Sequence, residues 1–543
     1  MRMYIKYLAV FLLLIACKKG SPTLPPQGNT CFVNGIDTCN KPAKINLTVN
    51  LNTTYQTIHS FGASDGWTCK FIGKWADAGK KNKIADLLFT MDTLPDGVPI
   101  GIGLSLWRFN IGAGSFEQGD TSNIATDWRR EECFLNADGT YNWSKQAGQQ
   151  WFLQAAKQRG VAYTLGFSLS APVNMTKNSR AFNGSGTTKM NIQDGKMDAY
   201  AAFLAEVTSQ FQFNYLSPVN EPQWAWGQPN SAGQEGTQAE NPEITALTKS
   251  LSQKLAAKNS TAKVVVGEAG QWNYLYGSNT DGRGDQISQF FSSSSSNYIG
   301  NLPNVAKTIS GHSYFTTCPD DNMISIRQQV LNKARQVDPA LEIWQTEFGI
   351  LGNICNLYNG SPRNTGIDYG LYVAKVIHHD LAITNVSSWQ WWLAVSPYNY
   401  SDALVYINDP SGSINENNCK QDGIVLESKQ LWSLGNYSRF IRPGMKRIAA
   451  GIQGVTDLVA AGSLMVSAYK DDNTKKIVLV LINPGTVEKT LQLTGETNAL
   501  SITGNTMNTY TTDANSNLKK SVVPVNNIVI QPRSIVTLTG SYQ

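Results

Sequence analysis

Leu216-Ser217-Pro218-Val219-Asn220-Glu221-Pro222-Gln223-Trp224 is a short apolar run that delivers a carboxylate and then turns. Pro222 lacks an N–H and fixes φ, which suits the start of a loop at a strand exit. Ile343-Trp344-Gln345-Thr346-Glu347-Phe348-Gly349 repeats the arrangement further along. The interval between Glu221 and Glu347 has room for about three βα units of ~40 residues each.

The same form recurs on both sides. Apolar runs ending in polar or aromatic residues span 59–64, 103–111, 162–170, 215–220, 263–267, 308–314, 341–346 and 386–392. Helical apolar spacing marks 151–159, 198–211, 244–258, 324–337 and 369–383. Eight strands alternating with helices predict a (β/α)₈ TIM barrel, and strands covered on both faces read as apolar rather than alternating. After residue 442 the pattern changes to strands without a convincing helix. Two strand-like runs flank Asp471-Asp472-Asn473-Thr474 as a hairpin. The expected organisation is a strand at 44–57 joining a β-sandwich at 443–543, with the catalytic barrel at 58–442.

At the N-terminal end, Arg2 and Lys6 precede an apolar run too short to span a bilayer, which reads as a signal peptide over 1–17. Leu14-Ile15-Ala16-Cys17 resembles a bacterial lipobox, implying lipidation of Cys17 and an outer-membrane anchor, on a face left open. Residues 18–43, with Pro25-Pro26-Gln27-Gly28, read as a flexible tether. Seven further cysteines remain, an odd number, and Cys31 and Cys39 are close enough to bridge.

The chain of 543 residues has 14 Trp, 21 Tyr, 16% charged residues and a formal charge of +5. Without long Lys/Arg blocks, nucleic acid is not an expected partner. No Cys-x-x-Cys or phosphate loop is present, and the adjacent His378 and His379 point about 100° apart on a helix, so no metal or cofactor is expected. A monomer is expected.

Two carboxyls converging from strand ends are the working pair of a glycoside hydrolase: one protonates the leaving oxygen, and the other attacks or stabilises the anomeric carbon. Asn220 can hydrogen-bond a sugar hydroxyl beside Glu221. A loop carboxylate at Glu221 and an ion-paired strand end at Glu347 are the plain alternatives. Glu268 also follows a strand and is the rival carboxylate.

Ser217-Pro218-Val219-Asn220-Glu221-Pro222-Gln223-Trp224-Ala225-Trp226, with Gln234-Glu235-Gly236 downstream, resembles the acid/base segment of glycoside hydrolase family 30. Phe61-Gly62-Ala63-Ser64-Asp65-Gly66-Trp67 and Leu106-Trp107-Arg108-Phe109-Asn110-Ile111-Gly112 resemble that family's first two strand motifs. Gly435-Asn436-Tyr437-Ser438-Arg439-Phe440-Ile441-Arg442-Pro443-Gly444 resembles the helix leading back to its side sandwich. The resemblance implies a retaining mechanism with Glu221 as acid/base and Glu347 as nucleophile. The motifs sit closest to the endo-β-1,6-galactanase branch. Ser170-Ala171-Pro172 is followed by Val173-Asn174, where such families often place an aromatic, which loosens any inference about that subsite.

Further site expectations follow. Arg108 would pair with Glu347 and hold it ionised, or form a rim salt bridge. Tyr314 would donate to the nucleophile, and His312 would stand beside it or be a satisfied rim histidine. Asp65 and Trp67 would hold a terminal or −1 sugar. Trp224, Trp226, Trp272, Trp391 and Trp392 are candidate stacking platforms, since a pyranose face is apolar, although core packing is equally open to each. Trp391 and Trp392 point opposite ways in a regular strand, so only one would face the cleft. The expected substrate is a β-linked polysaccharide: β-1,6-galactan first, β-1,6-glucan second, then xylan or an exo-acting role. A non-catalytic glycan-binding lipoprotein is the alternative.

Overall fold

The structure, a computed structural model, describes residues 32–33, 36–37, 44–228, 230–495 and 501–543. Cys17, Cys31 and Cys39 lie outside the described residues. Within 1–43, Phe32–Val33 pairs antiparallel with Ile36–Asp37. The remaining chain, 44–543, forms one compact unit.

Eight parallel strands close on themselves: β1 (Ser60–Ser64), β2 (Leu106–Ile111), β3 (Tyr163–Ser168), β4 (Tyr215–Ser217), β5 (Lys263–Ala269), β6 (Val305–His312), β7 (Glu342–Glu347) and β8 (Ser388–Ser396). Pairing of β7 with β8 and of β8 with β1 completes the (β/α)₈ barrel. All eight apolar runs of the sequence fall on these strands. The barrel is filled, not open. On β2, Leu106 packs with Leu165, Phe167, Val265 and Trp344 inside, while Trp107, Phe109 and Ile111 face the helices outside. Arg108 takes the inward position next above Leu106 and is fully buried.

The five helices read from sequence are present, one to four residues longer at their starts. Asn241–Ala257 shows why: Glu240 and Glu243 form a capping box, and Ile244, Leu247, Leu251 and Leu255 bury one face. Each such side chain contributes about 1.5–3 kcal/mol relative to exposure. Ala78–Phe89, Gln286–Phe291 and Lys429–Ser438 complete the ring of helices that follow the strands.

A nine-stranded sheet stands beside the barrel, and within it Ile45–Thr57 lies between Lys446–Ile452 and Lys489–Gly495. Its strand Lys476–Asn483 alternates cleanly. Ile477, Leu479 and Leu481 join the sheet's own core, whereas Val478, Val480 and Ile482 join the core shared with the barrel helices. Asn436 and Thr537 exchange hydrogen bonds of 2.9 and 2.6 Å across this junction. One short helix, Asp457–Gly462, departs from the helix-free expectation after residue 442. Leu458 and Val459 on it are exposed, so no buried periodicity announces it. Cys318 and Cys355 form a disulfide linking the segments after β6 and β7, and Cys69, Cys133 and Cys419 are buried free thiols.

Candidate active site

β4 ends at Ser217, and four more residues carry the chain to Glu221, whose φ is +44°. Glu268, on neighbouring β5, has φ +43°. Both are left-handed conformations uncommon for a non-glycine residue, and the two positions lie side by side on neighbouring strand ends. The Glu221 N–H donates to the Glu268 carbonyl at 2.9 Å, which locks the two strand ends together. Glu347 closes β7, and His312 stands beside it at the end of β6.

Arg108 organises this rim from below. Its Nη1 donates to Glu347 Oε2 at 2.6 Å, and its Nη2 donates to Asn220 Oδ1 at 2.8 Å and Glu268 Oε2 at 3.0 Å. The guanidinium carbon lies 3.7 Å from the Phe167 ring centre, so the cation is held between an aromatic face and two carboxylates. His312 bridges the other side, with Nδ1 2.8 Å from Glu221 Oε1 and Nε2 3.1 Å from Glu268 Oε2. The Tyr314 hydroxyl donates to Glu347 Oε1 at 3.2 Å. Burial, together with the Glu347 charge, pushes the Tyr314 phenol well above its ordinary range, so it stays a donor.

The carboxylates differ in state. Burial raises the Glu221 pKa and the Glu347 charge adds to the rise, against the opposing hydrogen bond and charge of His312. For Glu268, burial also acts upward, but the Arg108 charge and the His312 hydrogen bond outweigh it and hold the group at about 2. Burial pulls His312 down, while the Glu347 charge and its bonds to Glu221 and Glu268 lift it to about 10. The two groups are coupled: a proton on Glu221 withdraws part of what lifts His312, leaving the Glu347 charge and the Glu268 bond to oppose its burial.

One oxygen of Glu221, one of Glu347 and a ring nitrogen of His312 all lie within 4.8 Å of one another. Among the described residues these three are also the set grouped closely enough to hold a metal ion. Both ring nitrogens of His312 already face carboxylates and Arg108 already sits on Glu347, so an entering divalent ion would meet two cations.

Above them opens a cleft of about 670 Å³, lined by Glu221 and Glu347 together with Trp67, Trp224, Trp226, Trp392, Tyr314 and Phe315. Two glycines let the tryptophans lie where they do. A Cβ on Gly270 would come within 2.1 Å of Trp224, and one on Gly236 within 2.3 Å of Trp226. Of the pair on β8, Trp392 faces the cleft by regular alternation, since Trp389 and Trp391 pack outward, and the irregularity between Trp391 and Leu393 puts Leu393 on the inner side as well.

Three sequence expectations are corrected. Trp391 is fully buried outside the barrel and donates to the Asp402 carbonyl at 2.8 Å. Trp272 is equally buried, its Nε1 donating to Ser313 Oγ at 2.8 Å. Asp65 is buried beneath the rim, where Oδ1 accepts from the Asn110 N–H at 2.9 Å and clamps β1 to β2. None of the three lines the cleft. Glu235 is also structural: it accepts from the N–H groups of Ala113 and Ser115 and from the Ser115 hydroxyl. Conversely, Arg129, Gln234, Gln271, Phe315, Leu351, Tyr400 and Asp402 line the cleft without having been singled out as contacts. They sit on irregular segments, where no periodicity assigns a direction.

Residues 44–406 match the profile of O-glycosyl hydrolase family 30. The structure is similar to a conserved exported protein from Bacteroides fragilis, at 34% identity and a TM-score of 0.84, covering 91% of this chain and 99% of that one. It also resembles the catalytic domain of a family 30 xylanase C from Talaromyces cellulolyticus, at 22% identity and a TM-score of 0.64, covering 91% and 100%. An endo-β-1,6-glucanase gives a TM-score of 0.61 at 16% identity, covering 92% and 94%. A glucuronoxylanase from Bacillus subtilis is 29% identical over 144 residues, so the chain spans about a quarter (26%) of that relative.

Proposed function

The chain belongs to O-glycosyl hydrolase family 30, and from that premise we propose that it is a retaining glycoside hydrolase of β-linked polysaccharides, with Glu221 as acid/base and Glu347 as nucleophile. The observation that carries the reading is the meeting of the two carboxyls in one cleft, with an oxygen of each within 4.8 Å of the other. Retaining enzymes hold their carboxyls about 5–5.5 Å apart, whereas inverting ones need ~6.5–9.5 Å to admit a water.

The chemistry then assigns itself to the surrounding groups. Glu221, raised by burial, keeps a proton for the departing oxygen. Glu347 attacks the anomeric carbon from the opposite side, oriented by Arg108 and Tyr314. After the leaving group departs, Glu221 takes a proton from water, and the resulting hydroxide equivalent releases the sugar with its configuration kept. Asn220 is fixed by Arg108 with its amide beside the anomeric region.

For the substrate we favour a β-1,6-galactan, on the strand motifs, with β-1,6-glucan second. Incubation with β-1,6-galactan, β-1,6-glucan and glucuronoxylan, with product sizing and NMR of the newly formed anomer, tests both parts. Short β-anomeric galacto-oligomers support the proposal; an α-anomer first removes the retaining mechanism, and short oligomers from another polysaccharide replace the galactan. The lipid anchor belongs to the same proposal: Cys17→Ser would move the protein from the membrane to the soluble fraction.

A further inference from the structure

Arg129 and Asp402 line the cleft but take no part in the carboxylate network. Barrel order places them. The segments after β4, β5 and β6 bring Trp224, Gln271 and Phe315 to one arc, and those after β1, β2 and β8 bring Trp67, Arg129 and Asp402 to the opposite arc. With Glu221 as the acid, a reading on which this inference rests, the leaving group lies over the first arc. The sugar that keeps the anomeric carbon, the glycone, lies over the second.

Asp402 is only 4% exposed, and its Oδ1 is buried without a hydrogen-bond partner. The Arg129 charge and Ser396 act on the carboxylate as a whole, but an oxygen that has lost water without a hydrogen bond of its own is unfavourable unless a ligand supplies the donor. Its main chain is held by Trp391. Arg129 makes no close ion pair among the described residues, although its charge acts on Asp402 across the same arc. Its guanidinium sits 4.5 Å over the Trp67 ring and 5.7 Å from that of Tyr398, which fixes the plane of the donor fork. Trp67 and Trp392, edge to face at 5.1 Å, supply apolar surface on the same arc. A sugar hydroxyl donates and accepts at once, so one hydroxyl can donate to Asp402 while another accepts from Arg129.

We propose that Asp402 and Arg129 bind hydroxyls of the glycone sugar and thereby set which pyranose the cleft accepts. A site built to hydrogen-bond a substrate hydroxyl rejects the analogue that lacks it, because the protein group is then left unpaired.

The test uses the full chain and methylumbelliferyl β-disaccharides of galactose, glucose and xylose, with forms of the accepted one lacking a single hydroxyl on the sugar next to the fluorophore. Asp402→Asn is expected to lower kcat/KM about 10²-fold on the accepted disaccharide, and less than about 3-fold on the one deoxy form that lacks its partner hydroxyl. Arg129→Gln should show the same pattern with a different hydroxyl, and it carries the test alone if Asp402→Asn does not fold. Equal losses on every deoxy form, or no loss on any, overturn the inference. Glu347→Gln on the same substrates separates the two readings. If it abolishes turnover while the Asp402 and Arg129 variants show no hydroxyl dependence, only this inference fails; if turnover survives it, the assignment of the site fails.

Discussion

The ends of β4 and β5 carry the same residue type in nearly the same backbone conformation, and the two carboxylates behave oppositely. Glu221 and Glu268 share φ near +44°, deep burial and a bond to the same histidine. Glu268 also touches Arg108 and Ser217 and does not line the cleft, so it is a fixed anion. Glu221 lacks the arginine bond, faces Glu347 and opens to the cleft, so burial raises its pKa where that of Glu268 is lowered. One guanidinium contact and one opening separate a structural counter-ion from the proposed proton donor.

The sharpest way to break this contrast is to neutralise each carboxylate in turn. Glu347→Gln should lower kcat by about 10⁴-fold, and Glu221→Gln by about 10²–10⁴-fold on natural glycosides. On dinitrophenyl glycosides, whose leaving group needs no proton, Glu221→Gln should retain a near-normal burst of dinitrophenolate; the absence of a burst would deny it the acid role. Next in size, Glu268→Gln leaves Arg108 and His312 short of a counter-ion in a buried site. It should lose about 3–5 kcal/mol of stability in denaturant titration. A loss under about 1 kcal/mol would show that the cluster is less tightly coupled than its geometry indicates.

Two pH measurements sharpen the contrast. His312 favours the ionised form of Glu221, so replacing it with Asn removes a lowering influence and moves the alkaline limb of kcat/KM to higher pH. A shift to lower pH would mean that another group sets that limb. Glu268, at about 2 in the folded protein, lies below its unfolded value. It therefore stabilises the fold fully above that unfolded value, and the contribution is lost as pH falls from ~4.3 towards 2. Stability curves of the wild type and Glu268→Gln should converge over that range. The smallest effect is expected at the aromatic wall beside Glu221. Phe315 is 66% exposed and meets Trp224 edge-on at 5.9 Å. Phe315→Ala should raise KM about five- to tenfold for oligosaccharides extending past the scissile bond, and leave aryl glycosides unchanged.

The barrel was legible because strands covered on both faces must be apolar throughout, and each such run then had to end in something polar. Glu221 and Glu347 stood out at those ends. Direction was harder to read. Trp272 and Trp391 occupy positions as promising as those of Trp224 and Trp392, and only packing decides that they turn outward. Glu268 looked like a rival because its role depends on meeting Arg108 across the barrel and His312 on the next strand, which chain spacing does not encode. Asp402 and Arg129 lie on irregular segments and carried no signal. The helix Ala78–Phe89 was missed for a related reason: its buried residues, Ile84 to Phe89, crowd into the last turns and leave the first half without period.

The placement of Ile45–Thr57 between Lys446–Ile452 and Lys489–Gly495 has a consequence for biosynthesis. This strand leaves the ribosome before any of the barrel, yet both of its neighbours are translated after the barrel is complete. Until then its backbone amides have only water to bond, and it is an open template for other nascent chains. Truncating the chain after the last helix of the barrel would keep every residue of the cleft and still release an unpaired thirteen-residue strand. Such a fragment should aggregate as it is made, because the strand keeps neither of its two neighbours.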